Sequence, residues 1–247
     1  MTLDPFSMPR LMPIVHPPEI DMNWALFLEL DGTLLDIATT PDAVVVPTDL
    51  RDVLKTASTT LDGALAIVSG RLLAEVDALL APLTLPSAGE HGATIRMPDG
   101  SMDEIDMRIP YEWVQALTDA TESMEGVLIE RKTHGVVAHF RNAPRFEKHL
   151  RALASKLIAK ATAFEIVEAK MAIEIHPRTV SKARAVDRLM ASAPFAGRVP
   201  VFVGDDVADL DGFKAVERRG GIALDVFDHF AGRPQEVREW LGAFALV

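Results

Sequence analysis

Trp24-Ala-Leu-Phe-Leu-Glu-Leu-Asp-Gly-Thr33 runs from apolar side chains into acid and then into a turn. An apolar run this short predicts a buried strand over Trp24 to Leu30, ending in the polar turn Asp31-Gly32-Thr33. Downstream, Leu50, Val53, Leu54, Ala57 and Leu61 recur at helical spacing, with Thr48 as the expected N-cap. Ala64 to Val68 is a second buried strand closed by Ser69-Gly70-Arg71, and a helix is expected from Leu72 to Leu80. Strand, helix, strand, helix is the signature of a parallel sheet covered by helices. The same pattern resumes late in the chain. Val186, Leu189, Met190 and Ala193 mark a helix, Val199 to Val203 a strand ending in Gly204-Asp205-Asp206, and Gly220 to Leu224 the next strand.

The middle of the chain reads differently. Tyr111 to Met124 is expected to be helical, and Val127 to Lys132 and Gly135 to Arg141 to be strands paired around Thr133-His134. Phe146, Leu150, Leu153, Ala154, Leu157, Ile158 and Ala161 form a helical apolar stripe, followed by strands at Phe164 to Ala169 and Met171 to His176. The fold class expected is α/β: a Rossmann-like parallel-sheet core over 24–101 and 178–247, interrupted by an α+β cap over 102–177, with 1–23 a mobile N-terminal arm.

Composition narrows the function. The 247 residues are 49% hydrophobic, enough for a sizeable core. The chain has no cysteine, which excludes disulfides, thiolate metal sites and a cysteine nucleophile, and suits a reducing compartment such as the cytoplasm. With 25 Lys+Arg against 36 Asp+Glu the formal net charge is −11, which argues against nucleic-acid and anionic-membrane partners. No apolar stretch reaches membrane-spanning length, and the proline-rich start lacks the charged-then-apolar pattern of a signal peptide. The histidines lack zinc-site spacing, so no zinc is expected. A monomer is expected.

Four polar clusters fall at the carboxyl ends of the expected parallel strands or beside them: Glu29-x-Asp31-Gly32-Thr33, Ser69-Gly70-Arg71, Ser181-Lys182 and Gly204-Asp205-Asp206-x-x-Asp209. Open α/β sheets bind ligands at that edge. Each cluster alone reads as an ordinary turn or loop; all four together, in this order, point to a site.

That order resembles the four motifs of haloacid dehalogenase phosphatases. Further stretches narrow the resemblance to the trehalose-6-phosphate phosphatase family: Leu28-Glu-Leu-Asp-Gly-Thr-Leu-Leu-Asp36, Val44-Val-Val-Pro47, Gly63-Ala-Leu-Ala-Ile-Val-Ser-Gly-Arg71, Ala88-Gly-Glu-His-Gly-Ala93, Glu130-Arg-Lys132, His139-Phe-Arg-Asn-Ala-Pro144 and Ile173-Glu-Ile-His-Pro-Arg178. The resemblance implies hydrolysis of a small-molecule sugar phosphate, with Mg2+ as cofactor. It implies that the carboxylate at position 29 attacks phosphorus, Asp31 exchanges protons with the leaving oxygen and with water, Ser69 binds a phosphate oxygen and Lys182 neutralises charge there. Metal ligands implied are Glu29, the Asp31 carbonyl and Asp205, with Asp206 and Asp209 as ligands or neighbours of ligands.

Strand alternation supplies the other half of the site. Glu130 with Lys132, His139 with Arg141, and Glu174 with His176 each share a face opposite apolar neighbours. A half-solvated sheet explains that pattern by itself. Glu130, Lys132 and Glu174 also coincide with the sugar contacts that the resemblance implies; Arg71, His91 and Arg141 are further substrate-binding candidates, while His139 and His176 fit a solvated or structural role.

Position 29 departs from the family, which carries Asp there. The extra methylene of Glu29 moves the carboxylate outward by about 1 Å, a displacement able to slow a reaction roughly 100-fold. A slow natural enzyme, a binding protein without catalysis and a deliberately weakened variant all remain compatible, as does a phosphatase for another sugar phosphate. Thr94 stands where the family has Glu, and Val180 and Ala183 stand where it has glycines.

Overall fold

The structure, a computed structural model, describes residues 15–169 and 171–246. Its larger sheet is built around β1 (Trp24–Leu28), whose five residues are all buried. β1 lies parallel between β10 (Val199–Gly204) and β2 (Leu65–Val68), with Leu26 opposite Val201 on one side and Leu65 on the other. A strand covered on both faces favours continuous apolar side chains over alternation.

β11 (Ile222–Asp225) extends the sheet beyond β10, and β3 (Ser87–Gly89) extends it beyond β2, both in parallel. Two short antiparallel strands, β4 (Thr94–Arg96) and β5 (Met102–Glu104), complete the order β11-β10-β1-β2-β3-β4-β5. Helices α1 (Leu50–Thr60), α2 (Leu73–Leu80), α5 (Lys182–Leu189), α6 (Leu210–Glu217), α7 (Val226–Phe230) and α8 (Pro234–Gly242) accompany this sheet, and the apolar faces of α1, α5, α6 and α8 enter its core. The N-cap of α1 is Asp49 rather than Thr48.

The smaller sheet runs β6-β7-β9-β8, antiparallel throughout, from β6 (Leu128–Arg131), β7 (Val136–His139), β8 (Phe164–Ala169) and β9 (Ala172–Pro177). Its apolar face, with Val136, Ala138, Phe140, Ile173 and Ile175, packs on α3 (Tyr111–Thr121) and α4 (Glu147–Ile158) through Val114, Leu117, Leu150 and Ala154. This cluster is separate from the one around β1, so each sheet has its own core.

Two boundaries differ from the sequence expectation. Residue 102, the expected start of the cap, falls on β5, which pairs with β4 in the larger sheet. Residues 15–23 of the expected mobile arm lie against the core: the Val15 N–H donates to the Asp228 carbonyl, Trp240 Nε1 donates to the Pro18 carbonyl, and Ile20 packs on the core cluster. Residues 1–14 lie outside the described residues. No helix among the described residues is long and apolar enough to cross a membrane.

Candidate active site

Neighbouring parallel strands deliver their carboxyl ends to one rim. Glu29 follows β1 directly and is buried; Ser69 follows β2; Asp205 and Asp206 follow β10. Gly32 makes this closeness possible. Its φ is +88°, and a Cβ there would sit 2.1 Å from Asp205 Oδ2, so only glycine lets the two loops meet. Thr33 Oγ1 donates to Asp205 Oδ1 at 3.3 Å.

Ser69 Oγ donates to Glu29 Oε1 at 3.1 Å, and Lys182, at the start of α5, donates from Nζ to the other Glu29 oxygen. The same Nζ donates to Asp209 Oδ1 at 2.5 Å. Asp209 in turn accepts the N–H groups of Asp205 and Asp206 through Oδ2, both at 3.0 Å. One buried ammonium therefore serves two buried carboxylates. Burial pushes Glu29 up to about 8, with Asp209 and Asp31 adding to the shift and Lys182 opposing it. Burial disfavours charge on Lys182 too, but Asp209 and Glu29 outweigh it and hold the ammonium above its ordinary value. Beside them Asp31 is gripped by the Arg71 fork, Nε to Oδ2 at 2.6 Å and Nη2 to Oδ1 at 2.8 Å.

The polar face of the smaller sheet looks onto this rim across a cleft of about 240 Å³. Glu29, Asp31, Arg71, His91, Lys182, Asp205 and Asp206 line one wall; Glu130, Lys132, His139, Arg141 and Glu174 line the other. Lys132 Nζ donates to Glu174 Oε1 at 3.0 Å, and His91 Nε2 lies 3.1 Å from Glu174 Oε2. Burial would raise the Glu174 carboxyl, but the adjacent Lys132 charge and the His91 contact hold it well below the usual carboxylate range. Burial keeps His91 below its ordinary value, so its ring N–H donates as a neutral group and Lys132 supplies the compensating charge. Glu130 is also held low: burial works against it, while the His139 hydrogen bond at 2.7 Å and Lys132 prevail.

Residues 27–236 match the family model described as trehalose-phosphatase. The chain belongs to the trehalose-phosphatase family. A probable trehalose-phosphate phosphatase of Sinorhizobium fredii is 43% identical over 223 residues, 90% of this chain and 82% of the relative. The trehalose-6-phosphate phosphatase of Escherichia coli is 37% identical over 216 residues, 87% and 81% of the two chains. The solved C-terminal domain of Candida albicans trehalose-6-phosphate phosphatase shares the fold, with TM-score 0.74 at 21% identity over 93% of this chain and 99% of that one. A solved haloacid dehalogenase-like hydrolase of B. subtilis has a similar fold, with TM-score 0.56 at 16% identity over 77% of this chain and 86% of that one.

For a trehalose-phosphatase family member, the hard oxygen donors at the β1 and β10 ends suit a divalent cation in kind. Their present partners are hydrogen-bond donors: the Lys182 ammonium and the Ser69 hydroxyl for Glu29, the Arg71 guanidinium for Asp31 and the Val207 amide for Asp206. Among the described residues no three such side chains converge to hold a metal. The expected ligands Glu29, Asp31, Asp205 and Asp206 thus share a wall, not a coordination sphere.

All the expected substrate-binding residues line the cleft, and Ser69 reaches it through Glu29. His176 does not line it; its ring stacks on His91 at 6.1 Å, and its Nδ1 lies 2.9 Å from the Pro177 carbonyl. Sequence reasoning gave Asp209 no link to Lys182 and His139 none to Glu130. It assigned nothing to Glu90, a buried acid beside His91. Lys182 and Asp209 stand too far apart in sequence to leave a local spacing, whereas Glu130 and His139 sit on the two strands of one hairpin, where the pairing register is the signal that could have found them.

Proposed function

We propose that this protein hydrolyses trehalose 6-phosphate to trehalose and phosphate through an acyl phosphate on Glu29. The observation that carries the reading is the shared cleft: a buried carboxylate with Ser69, Lys182 and Asp31 beside it faces a sheet presenting Glu130, Lys132 and Glu174. Membership of a family whose relatives are named for this phosphatase activity supports the substrate.

In the first step a Glu29 oxygen forms a bond to phosphorus as the bond from phosphorus to the sugar oxygen breaks, and Asp31 delivers its proton to that oxygen. In the second, water attacks phosphorus, Asp31 takes the water proton, and the acyl–phosphorus bond breaks to release phosphate and restore Glu29. Lys182 compensates charge on the phosphate oxygens, and Ser69 Oγ–H donates to one of them. Arg71 aims the Asp31 carboxyl. The cap wall binds sugar hydroxyls through Glu130, Lys132 and Glu174. Glu29, the Asp31 carbonyl and Asp205, with Asp206 close by, would hold magnesium once turned from their present donors, and the ion would supply the positive charge that lets phosphate approach this acidic rim.

One observation favours a second reading, a sugar-phosphate-binding protein without turnover. Burial, with Asp209 and Asp31 beside it, raises the Glu29 carboxyl against the pull of Lys182, which disfavours its ionised, nucleophilic form until further positive charge arrives. Phosphate release from trehalose 6-phosphate separates the two. Turnover that depends on magnesium and stops with excess chelator is expected. Tight binding of the sugar phosphate with no release at any magnesium concentration establishes the second reading instead.

A further inference from the structure

Glu90 and His91 follow β3 as two consecutive non-glycine residues in the left-handed region, with φ of 47° and 55°. L side chains visit that region rarely, and such turns persist where surrounding contacts enforce them. Here the turn throws the two side chains onto two points of the cap. His91 reaches Glu174 on β9, and Gly70 leaves room for it, since a Cβ there would lie 2.6 Å from the imidazole. Glu90, only 4% exposed, crosses to the turn between β6 and β7, where its Oε2 accepts the His134 N–H at 2.8 Å.

His134 is itself buried. Its Nδ1–H donates to the Met107 carbonyl at 2.8 Å, and Nε2 lies 3.1 Å from the Glu104 carboxylate. The β6–β7 turn is thus tied to the larger sheet and to the segment leading into the cap. Two residues before His134 stands Lys132, whose backbone N–H donates to the Gly135 carbonyl and whose ammonium meets Glu174. The contacts close a circuit: Glu90 to His134, along the turn to Lys132, across to Glu174, and back through His91 to Glu90. The Glu90 carboxylate also adds to the negative charge that stabilises the Lys132 ammonium.

We propose that Glu90 is a positioning residue for the sugar-reading face. Through the His134 N–H it fixes the β6–β7 turn, and with it Lys132, over the catalytic rim. The inference rests on the reading of that face as the sugar site. It predicts substrate-dependent damage. A ligand that uses Lys132 feels a shifted turn, whereas a small activated ester that touches only the core rim does not.

The test compares the full-length parent with Glu90→Ala and Glu90→Gln, each assayed on trehalose 6-phosphate and on a small aryl phosphate, with amide hydrogen exchange at His134 measured alongside. Glu90→Ala is expected to lower kcat/KM on the sugar phosphate about tenfold, chiefly through KM, as for a misplaced binding group. It should leave the aryl ester within about twofold and speed His134 exchange at least tenfold, as loss of a buried hydrogen bond requires. Glu90→Gln keeps an oxygen that accepts the N–H, and is expected to stay within about threefold of the parent in both respects. Equal losses on both substrates, or unchanged exchange at His134 in Glu90→Ala, overturn the proposal. If Glu90→Ala does not fold, a Glu90→Gln protein that loses both substrates equally overturns it as well. A parent that hydrolyses the aryl ester but not the sugar phosphate overturns the substrate reading, and the exchange rates then decide alone whether Glu90 pins the turn.

Discussion

On the core wall one ammonium, Lys182, stands between two buried carboxylates, Glu29 and Asp209; on the cap wall one buried carboxylate, Glu174, stands between the Lys132 ammonium and the neutral His91 N–H. The two arrangements use the same residue types at similar burial, yet Glu29 is pushed up to about 8 while Glu174 is held well below the usual range. Around Glu29 the nearby Asp209 and Asp31 add to burial against Lys182, whereas around Glu174 Lys132 and the His91 hydrogen bond together outweigh burial. Burial penalises both acids; only on the cap wall is the penalty fully offset. A wall short of positive charge suits a site that takes up a cation together with an anionic phosphate. A balanced wall suits neutral hydroxyls, which need donors and acceptors held in place without net charge.

The sharpest way to break this division is Asp31→Asn. Asparagine keeps the shape and can still accept from Arg71, but it cannot exchange a proton. Under the proposed mechanism kcat on trehalose 6-phosphate should fall about 100- to 10,000-fold, the span of a lost general acid. Binding of the sugar phosphate, read by calorimetry, should survive because the cap wall is untouched. Parental turnover in the Asn variant would remove Asp31 from the chemistry.

Glu29→Asp asks whether the core wall is a working catalyst weakened at one position. Shortening the side chain draws the nucleophile back by about 1 Å, and turnover should rise on the order of 10–100-fold. Phosphate release at saturating magnesium measures it. Equal rates in both proteins would show that the loop absorbs the extra methylene, and the argument from side-chain length would then fail.

Much of this division is legible in the sequence, and the reasons are specific. Trp24–Leu28, Leu65–Val68 and Val199–Gly204 are apolar runs ending in polar turns, a pattern that marks the rim by itself. Alternation on β6, β7 and β9 put Glu130, His139 and Glu174 on one face, and all three line the cleft. The strands at Ser87–Gly89, Thr94–Arg96 and Met102–Glu104 are too short to show a period, so Met102–Glu104, which pairs in the larger sheet, falls within the span that the sequence assigns to the cap. Nor do the helices over 210–242 follow from the motifs beside them. Glu90 was invisible for another reason. Its partner is a backbone N–H forty-four positions away, and a side chain that bonds main chain leaves no complementary residue to find.

The subtlest difference between the walls is how each responds to acid, and Glu174 reads it. Its folded carboxyl titrates below the ordinary glutamate value of 4.5. The stability it contributes is therefore complete above that value and is lost as pH falls through it, because the unfolded chain takes up the proton first. Glu174→Gln removes this titration while keeping an oxygen for Lys132 and a similar volume. Urea unfolding at pH 7 and pH 4, with parent and variant both carrying His91→Asn so that the imidazole beside Glu174 does not titrate, isolates the effect. The parent should lose about 0.8 kcal/mol more than the variant between those two pH values, as expected when only the unfolded form protonates near 4.5. The gap between the two proteins should be widest at neutral pH and narrow steadily on the acid side. A gap that stays constant from pH 7 to pH 4 would mean that Glu174 titrates alike in folded and unfolded chains. The cap wall would then hold no compensated carboxylate, and the contrast with the core wall would rest on Glu29 alone.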